Sequence, residues 1–252
     1  MNLIFRCSEL HRLMGNAKSI DSAFLTEEVQ AIKAKKKRTD EEQKILDDLL
    51  DRTLSATAKT LVKEKVRQLR HKAPSKFTGS KETRKGNLVE DDAILFLMQQ
   101  KFISAEKNTI RFTNDWITGE PDIITNTAIR DTKCPWSYWT MEYFKEDIES
   151  KALDAGYDWQ QLGYMWLLRE NHDYEPKIIN EAYLDFILMP TPRECLTRYD
   201  DEYLHTDYVL ELEPSDRISS YRVEYDQKKI DLIKLKVEMA REYANTLVLE
   251  GK

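Results

Sequence analysis

Apolar residues recur at helical spacing in two consecutive segments of the N-terminal third of the chain. In the first segment the apolar positions are Ile45, Leu46, Leu49, Leu50 and Leu54. Thr39 and Asp40 precede them as candidate N-caps. In the second segment the apolar positions are Ala58, Leu61, Val62, Val66 and Leu69. Both patterns predict amphipathic helices, and Pro74, Gly79 and Gly86 then indicate an exposed basic loop over residues 73–86.

A run at residues 86–102 is apolar in nearly every direction around a helix axis, which predicts a buried helix. Glu90 is its exception, because Ala93, Ile94 and Leu97 are its nearest neighbours around that axis. A carboxylate on an apolar face costs free energy unless it pairs with Arg or Lys or binds a metal ion. The run therefore leaves two interpretations of Glu90, a structural ion pair and a metal ligand.

Three short runs after this helix are rich in β-branched and aromatic residues and are separated by polar turns. They span residues 109–113, 114–125 and 128–137, and they predict a hairpin or meander. Near the end of the chain, one helical stripe consists of Ile230, Ile233, Val237, Ala240 and Ala244. This stripe is typical of internal packing. With 252 residues the chain is long enough for one large domain, so we expect a single domain over 1–252 that includes a basic helical region at 20–85.

The ends and the cysteines exclude several classes of protein. The first residues have no long apolar core after a basic start, and no stretch approaches the roughly 18 apolar residues of a membrane span. The three cysteines, Cys7, Cys134 and Cys195, are far apart, and the four histidines show no zinc-binding spacing. We therefore expect a protein of the reducing cytoplasm without a disulfide framework.

Charge is distributed unevenly along the chain. The formal net charge is −6, which by itself disfavours a nucleic-acid partner, but residues 33–85 hold 17 Lys and Arg against 8 Asp and Glu. Such asymmetry favours nucleic-acid binding. One stripe of this segment consists of Lys59, Lys63, Arg67 and Arg70. It is either a solvated helix face or a set of candidate DNA contacts.

The strongest chemical pattern lies in the β-rich region. Asp122 sits near a predicted turn, and Asp131 and Lys133 are two apart in a strand, so their side chains share a face. Thr132 faces the other way and is expected to offer only its backbone. Carboxylates of this kind suit Mg²⁺, for which Mn²⁺ substitutes. The lysine can orient or deprotonate a water, or stabilise developing negative charge.

These residues carry a resemblance to a known family. Pro121-Asp122 followed by Asp131-Thr132-Lys133 resembles the PD-(D/E)xK nuclease signature. Three further strings resemble phage λ-type and YqaJ-like exonucleases. They are KCPWS after the signature, CSELH near the N-terminus, and the helix WQQLGYMWLL, which places Gln160 and Tyr164 four residues apart.

The resemblance implies a restriction-endonuclease-like α/β core, with a central mixed β-sheet flanked by helices. It implies Mg²⁺-dependent 5′→3′ digestion of one strand of duplex DNA, a homotrimer around the DNA, and a single-strand annealing protein as partner in recombination. By position, Asp122, Asp131 and the Thr132 carbonyl would hold Mg²⁺, Glu90 would hold its water, and Lys133 would act on the nucleophile. Residues matching the 5′-phosphate and DNA contacts are Ser8, Gln160, Tyr164 and Arg12.

The sequence departs from the λ-type pattern at two places. Glu120 stands where the λ enzyme has a phosphate-binding serine, and the arginine that precedes the N-terminal serine has no counterpart unless Arg6 or Arg12 replaces it. Cas4-type nucleases need four cysteines for an iron–sulfur cluster, which three isolated cysteines do not supply. Two alternatives stay open: a structure-specific or restriction-type endonuclease, and a non-catalytic DNA-binding module.

Cys134 and the aromatic residues after the lysine have a structural and a functional interpretation. Trp136, Tyr138, Trp139 and Tyr143 either stack on bases of a frayed strand or pack in the core or a subunit contact. Cys134 has no neighbouring histidine in the sequence, so we expect a small buried apolar residue and not a nucleophile.

Overall fold

The computed structural model describes residues 1–74, 79–170 and 178–250, with side chains up to residue 247. Its contacts group the chain into two compact units, Met1–Pro74 with Gln227–Lys252, and Ser75–Asp226. This grouping leaves the single domain over 1–252 as a prediction.

The first unit is mainly helical. Its elements are β1 (Phe5–Arg6), α1 (Leu10–Leu13), α2 (Glu27–Ala34), α3 (Asp40–Asp51), α4 (Ala56–His71) and α10 (Gln227–Glu250). The predicted cap of α3 is confirmed, because the Glu42 amide donates to Thr39 Oγ1 at 3.2 Å and the Thr39 amide donates back to the Glu42 carboxylate at 3.1 Å. Ser55 caps α4 in a similar way, since its hydroxyl oxygen accepts from the Ala58 amide at 3.1 Å.

The core of the first unit includes the face along which α10 packs against α4. All five residues of the predicted C-terminal stripe are fully buried. On α4 the buried positions are Ala58, Leu61, Val62 and Val66. The predicted stripe of α4 is wrong at its last position, because Leu69 is 59% exposed near the end of the helix.

The second unit contains the sheet. Its strands are β2 (Phe112–Thr113), β3 (Ile117–Gly119), β4 (Ile123–Ile124), β5 (Ala128–Lys133), β6 (Glu181–Ile187) and β7 (Ile218–Glu224). Its helices are α5 (Lys81–Lys101), α6 (Lys145–Asp154), α7 (Tyr157–Arg169), α8 (Glu202–His205) and α9 (Asp207–Glu211).

Four of these strands form one mixed sheet in the order β4-β5-β6-β7. The central pair β5 and β6 is parallel, and both outer pairs are antiparallel. The parallel pair needs a crossover connection, which contains α6 and α7. Strands β2 and β3 form a separate antiparallel hairpin. The mixed sheet flanked by helices and the predicted hairpins are thus confirmed.

Two apolar clusters of the second unit show how the helices flank the sheet. One cluster joins α5 to the sheet through Val89, Ala93, Ile94, Leu97, Ile123 and Ile187. The other contains Ile148 and Ala152 of α6 with Leu184 and Phe186 of β6. Because residues 184 and 186 alternate with 187 along β6, the two clusters lie on opposite faces of the sheet.

Helix α5 begins earlier than the sequence predicted. The predicted loop over 73–86 is wrong from Lys81 onward, because the Ser80 hydroxyl accepts from the Thr83 amide at 3.3 Å and caps the helix there. Residues 75–78 of that predicted loop lie outside the described residues. Among the described residues, no helix combines the length and the apolar character needed to cross a bilayer.

Candidate active site

The end of strand β5 carries the predicted carboxylate–lysine pair. Asp131 and Lys133 project from one face of the strand, as the alternation predicts, and the Lys133 ammonium donates to Asp131 Oδ2. The Asp131 side chain is only 3% exposed and that of Lys133 is 28% exposed. Since β5 has strands on both sides, the backbone that carries the pair is held by two ladders of hydrogen bonds.

Asp122 reaches this site from the start of β4. The register of β4 and β5 pairs Ile123 with Arg130, which puts Asp122 beside Asp131. Its Oδ2 accepts from the Thr132 amide at 2.6 Å and from Thr132 Oγ1 at 2.8 Å. The expectation that Thr132 offers only its backbone is therefore wrong, because its hydroxyl also holds Asp122.

The carboxylates and the lysine change one another's protonation. Burial and the nearby Asp131 charge raise the pKa of Asp122 to about 7, against the opposing effects of Lys133 and the Thr132 bonds. Burial alone would lower the pKa of Lys133, but the charges of Asp131 and Asp122 outweigh it and raise that pKa above its ordinary value. Lys133 is thus a cation at neutral pH, and its ammonium lies 5.4 Å from the centre of the Tyr157 ring.

Helix α7 adds two polar side chains that the sequence singled out. Gln160 Nε2 donates to Asp131 Oδ1 at 3.3 Å and to the Tyr164 hydroxyl oxygen at 2.8 Å. Gln160 and Tyr164 are both buried, at 7% and 6% exposure. The structure therefore brings Gln160 to the same carboxylate that Lys133 contacts, with the Tyr164 hydroxyl bound to Gln160.

Glu90 differs from its expected setting. Helix α5 turns Val89, Ala93 and Leu97 into the core, so Glu90 lies at the edge of that face with a side chain 41% exposed. Its carboxylate accepts from Lys107 Nζ at 2.7 Å, and Asp91 binds the same ammonium at 2.6 Å. The picture of Glu90 in the middle of an apolar face is thus wrong, and its ion pair with lysine is observed.

A cleft of about 540 Å³ lies beside the end of β5. Its lining includes Glu90 on α5, Lys133 at the end of β5, Trp136 in the following loop, and Lys151 and Tyr157 on the other side. Cys134 also lines it, but burial raises the pKa of that thiol to about 11. The thiol is therefore protonated at neutral pH, which agrees with the expectation that Cys134 is not a nucleophile. The expectation that it is buried is wrong, because its side chain is partly exposed.

The aromatic residues after the lysine divide into packed and exposed ones. Tyr138 lies against the rings of Trp139, Tyr143 and Tyr208, at centroid distances of 5.3 to 5.4 Å. Trp136 contacts the His205 ring at 5.1 Å. The packing interpretation thus describes most of this cluster, whereas the Trp139 side chain is 79% exposed.

The donor set of this site fits a hard divalent cation. Asp122 and Asp131 offer carboxylate oxygens side by side under burial, and burial together with the Asp131 charge raises the pKa of Asp122. Mg²⁺ is commonly bound by one or two carboxylates together with substrate phosphates. Among the described residues, no group of three or more His, Cys, Asp or Glu side chains is assembled for a metal ion. Glu90 in particular stays with Lys107.

Several other predicted site residues belong to the first unit. Ser8 is exposed in a short 3-10 helix, Cys7–Glu9, and Arg12 forms an ion pair with Glu64 at 2.8 Å. In the predicted cationic stripe, Lys59 binds Asp21 at 3.1 Å, while the other members, Lys63, Arg67 and Arg70, are exposed.

Glu120 is paired within the second unit. Arg111 Nη2 lies 2.9 Å from its carboxylate. This cation partly neutralises the charge that would otherwise repel a phosphate.

Two lysines of the second unit were missed by the sequence reasoning. Lys107 binds Glu90, and Lys85 is fully buried on α5. Lys85 precedes Val89 and Ala93 at four-residue spacing, so a helix started at Ser80 would have shown it on the buried face.

Comparison with known proteins identifies the family. No protein-family model matches the sequence, and no curated protein matches it either. A solved structure of a phage-related exonuclease from Haemophilus somnus 129PT is 31% identical, with a TM-score of 0.80, and the match covers 100% of this chain and 98% of that one. The chain belongs to the phage-related exonuclease family. The λ-type, YqaJ-like resemblance of its motifs is thus confirmed.

The structure of an alkaline exonuclease supports the fold of this family member. The alkaline exonuclease LHK-Exo from Laribacter hongkongensis is 13% identical, with a TM-score of 0.51, and the match covers 79% of this exonuclease and 86% of LHK-Exo. Its structure in complex with dAMP gives a TM-score of 0.50. At this identity the likeness concerns the restriction-endonuclease-like architecture alone.

Proposed function

We propose that this exonuclease uses Mg²⁺ to degrade one strand of linear duplex DNA in the 5′→3′ direction during phage-type recombination. The observation that carries the proposal is the convergence of Asp122, Asp131 and Lys133 at the end of β5, beside an open cleft. Two carboxylates and a cation in one partly buried site suit the hydrolysis of a phosphodiester.

Lys133 acts as a positive charge in this proposal. Its raised pKa keeps it protonated at neutral pH, and Asp131 orients its ammonium. A fixed cation in a partly buried site stabilises negative charge that develops on the phosphate. Of the roles that the sequence left open for Lys133, stabilisation of negative charge therefore has the best support.

Asp122, Asp131 and the Thr132 carbonyl would hold the metal ion, with Glu90 reaching it from α5. The chemistry supplied by a bound Mg²⁺ is the acidification of a water and the neutralisation of phosphate charge, and Mn²⁺ is expected to substitute. Thr132 keeps Asp122 in place through two hydrogen bonds, at 2.6 and 2.8 Å. Gln160 steadies Asp131 from α7.

The substrate in this proposal is a duplex DNA end. By family resemblance we assign Ser8, Gln160, Tyr164 and Arg12 to the 5′-phosphate and its strand. Lys63, Arg67 and Arg70 are exposed for backbone phosphates, whereas Lys59 is the weakest of the four candidates because Asp21 already binds it. A homotrimer, an annealing protein as partner and the bacterial cytoplasm as setting belong to the same proposal.

A direct test uses four DNA substrates with Mg²⁺ or with a chelator. These are linear duplex with and without a 5′-phosphate, linear duplex labelled at one 3′ end, and covalently closed circles. We expect nucleotides to be released from the 5′-phosphorylated ends only when Mg²⁺ is present, and closed circles to stay intact.

Other outcomes would favour the other candidate functions. Cleavage of closed circles would indicate an endonuclease of the same superfamily. DNA binding without any metal-dependent cleavage would indicate a non-catalytic binding module and would refute the proposed activity.

A further inference from the structure

Lys85 is a fully buried lysine with an unusual set of partners. Its side chain is 0% exposed, and its Nζ donates to the Pro135 carbonyl oxygen at 2.7 Å and to the Trp136 carbonyl oxygen at 3.0 Å. None of the ion pairs within the described ranges includes Lys85. Burial lowers the pKa of this lysine to about 8. A methionine would fill much of the same space without this electrostatic cost, so the two carbonyl bonds are what the ammonium contributes.

The segment that Lys85 holds follows directly after the candidate catalytic lysine. Pro135 is two residues beyond Lys133, and Trp136 lines the same cleft as Lys133 and Glu90. Strand β5 ends at Lys133, so the strand ladder does not hold this segment. Polar side chains from elsewhere in the unit take over that task.

Trp136 is the centre of these contacts. Its carbonyl oxygen accepts a second bond, from Thr191 Oγ1 at 3.1 Å, and its ring faces His205. Lys81, one turn before Lys85 on α5, places its ammonium 4.3 Å from the centre of the Trp136 ring. The first turns of α5 therefore hold this residue by its backbone and by its ring.

The same helix carries Glu90, five residues after Lys85. At 1.5 Å per residue this separation is roughly 7.5 Å along the helix axis. Lys85 thus joins helix α5, which carries Glu90, to the Pro135–Trp136 segment, which follows Lys133. Hydrogen bonds at this place would set the distance between Glu90 and Lys133 across the cleft.

We propose that Lys85 is a positioning residue, whose buried ammonium fastens α5 to the Pro135–Trp136 segment and so fixes Glu90 relative to Lys133. The catalytic part of this proposal rests on the proposed nuclease function. The bracing part does not, and it has its own readout in Cys134, which lies between Lys133 and the held segment and is only partly exposed in the native protein.

The test is Lys85→Met, measured by kinetics and by thiol labelling. We expect kcat for nucleotide release to fall about 10- to 100-fold while KM for DNA ends changes by less than about 2-fold, as for residues that orient metal ligands. We expect the native-state reaction of Cys134 with a thiol reagent, located by mass spectrometry, to become at least about 10-fold faster, because the rate follows thiol exposure.

Lys236→Met is the matched control. Lys236 is 3% exposed on α10, and its Nζ donates to the Thr53 carbonyl oxygen at 2.6 Å in the first unit. Loss of this bond should lower the melting temperature about as much as Lys85→Met does. It should leave kcat and the labelling rate of Cys134 unchanged. If Lys85→Met behaves like Lys236→Met in both readouts, the proposal is overturned.

Lys85→Gln covers the case in which Lys85→Met does not fold. Its shorter, neutral amide cannot replace both bonds of the ammonium to the Pro135 and Trp136 carbonyl oxygens, so we expect Cys134 to react about 3-fold faster. An unchanged rate would then refute the proposal that the Lys85 ammonium holds this segment. If the wild-type protein releases no nucleotides, the nuclease proposal fails, and the Cys134 rates alone decide whether Lys85 holds the segment.

Discussion

The second unit contains two lysine–carboxylate pairs of similar composition and different burial. At the end of β5, Lys133 contacts Asp131, whose side chain is 3% exposed. Between α5 and the segment before β2, Lys107 contacts Glu90 and Asp91, whose side chains are 41% and 83% exposed. Both lysines have a raised pKa because carboxylates accept from them, although burial opposes this at Lys133 most of all.

The difference between the pairs lies in the surrounding medium. Charges in a partly buried site interact more strongly than charges in water, because solvent and salt screen them less. Beside the β5 pair, burial first and the Asp131 charge second raise the pKa of Asp122 to about 7, against the opposing charge of Lys133. The Lys107 pair is screened, and exposed pairs contribute only up to about 1 kcal/mol. Lysine–carboxylate contacts of similar composition therefore differ in electrostatic strength because they differ in burial.

The largest effect should come from removing the buried cation. Lys133→Ala is expected to lower nucleotide release at least about 10³-fold, because the charge that faces the phosphate is lost. The measurement is release of labelled nucleotides from linear duplex, with circular dichroism as the check on folding. Activity within 10-fold of wild type in the folded variant would remove Lys133 from the proposed site.

Asp122→Asn should separate activity from stability. The native protein holds a proton on Asp122 between its ordinary pKa of 3.8 and about 7, where the unfolded chain has released it. The free energy of unfolding should therefore fall as the pH rises through this window. The amide removes this cost, so we expect the metal-free variant to gain on the order of 2 kcal/mol at pH 8, and its stability to vary less with pH.

The same variant should lose the metal site. Isothermal titration calorimetry with Mg²⁺ measures the loss of metal binding. Chemical denaturation at pH 5 and pH 8 independently measures the change in the free energy of unfolding. In the wild type, metal affinity should increase as the pH rises through about 7, because only the ionised carboxylate binds the cation. A variant that is less stable than wild type at pH 8 would contradict the assigned cause of the raised pKa.

Glu90→Gln tests whether the exposed carboxylate takes part despite its ion pair. We expect a decrease in activity of about 10- to 100-fold, as for groups that orient a metal or its water, with little change in melting temperature. Asp91→Asn is the matched control, since Asp91 shares Lys107 but points to solvent. Equal activity of the two variants would assign Glu90 a structural role only.

The smallest effect is expected from Lys107→Met. Exposed ion pairs are screened, so the free energy of unfolding should change by less than about 1 kcal/mol, and activity by less than about 3-fold. Denaturant titrations at low and high salt measure the free energy of unfolding, and its difference between the variant and the wild type should shrink as the salt concentration rises. A loss of activity as large as that expected for Lys133→Ala would mean that the two lysines matter equally for activity. That result would contradict the difference expected from their burial.

Local patterns were enough to locate several of the elements, including β5, α3 and α10. Alternation along β5 predicted that Asp131 and Lys133 share a face, and capping residues predicted the start of α3 at Thr39. The stripe on α10 correctly predicted packing. These features succeed because each depends on neighbours within a few residues in the chain.

The errors have a common physical origin. Thr132 was expected to turn away from the site, but its hydroxyl reaches Asp122 from the strand next to it. Lys85 was assigned to an exposed loop, because lysines and glycines near residue 86 suggested one, yet its ammonium is buried against carbonyls some fifty residues away. No local pattern reports such partners.

The sequence by itself determined the family, several of the helices and the carboxylate–lysine motif, because these depend on residue identity and short spacings. Only the tertiary structure decided which lysine pairs with which carboxylate, that Glu90 is half-exposed and Lys85 buried, and that the pKa of Asp122 lies near 7. Burial and charge–charge distances between remote segments set these properties, and they exist only once the sheet and its helices have packed.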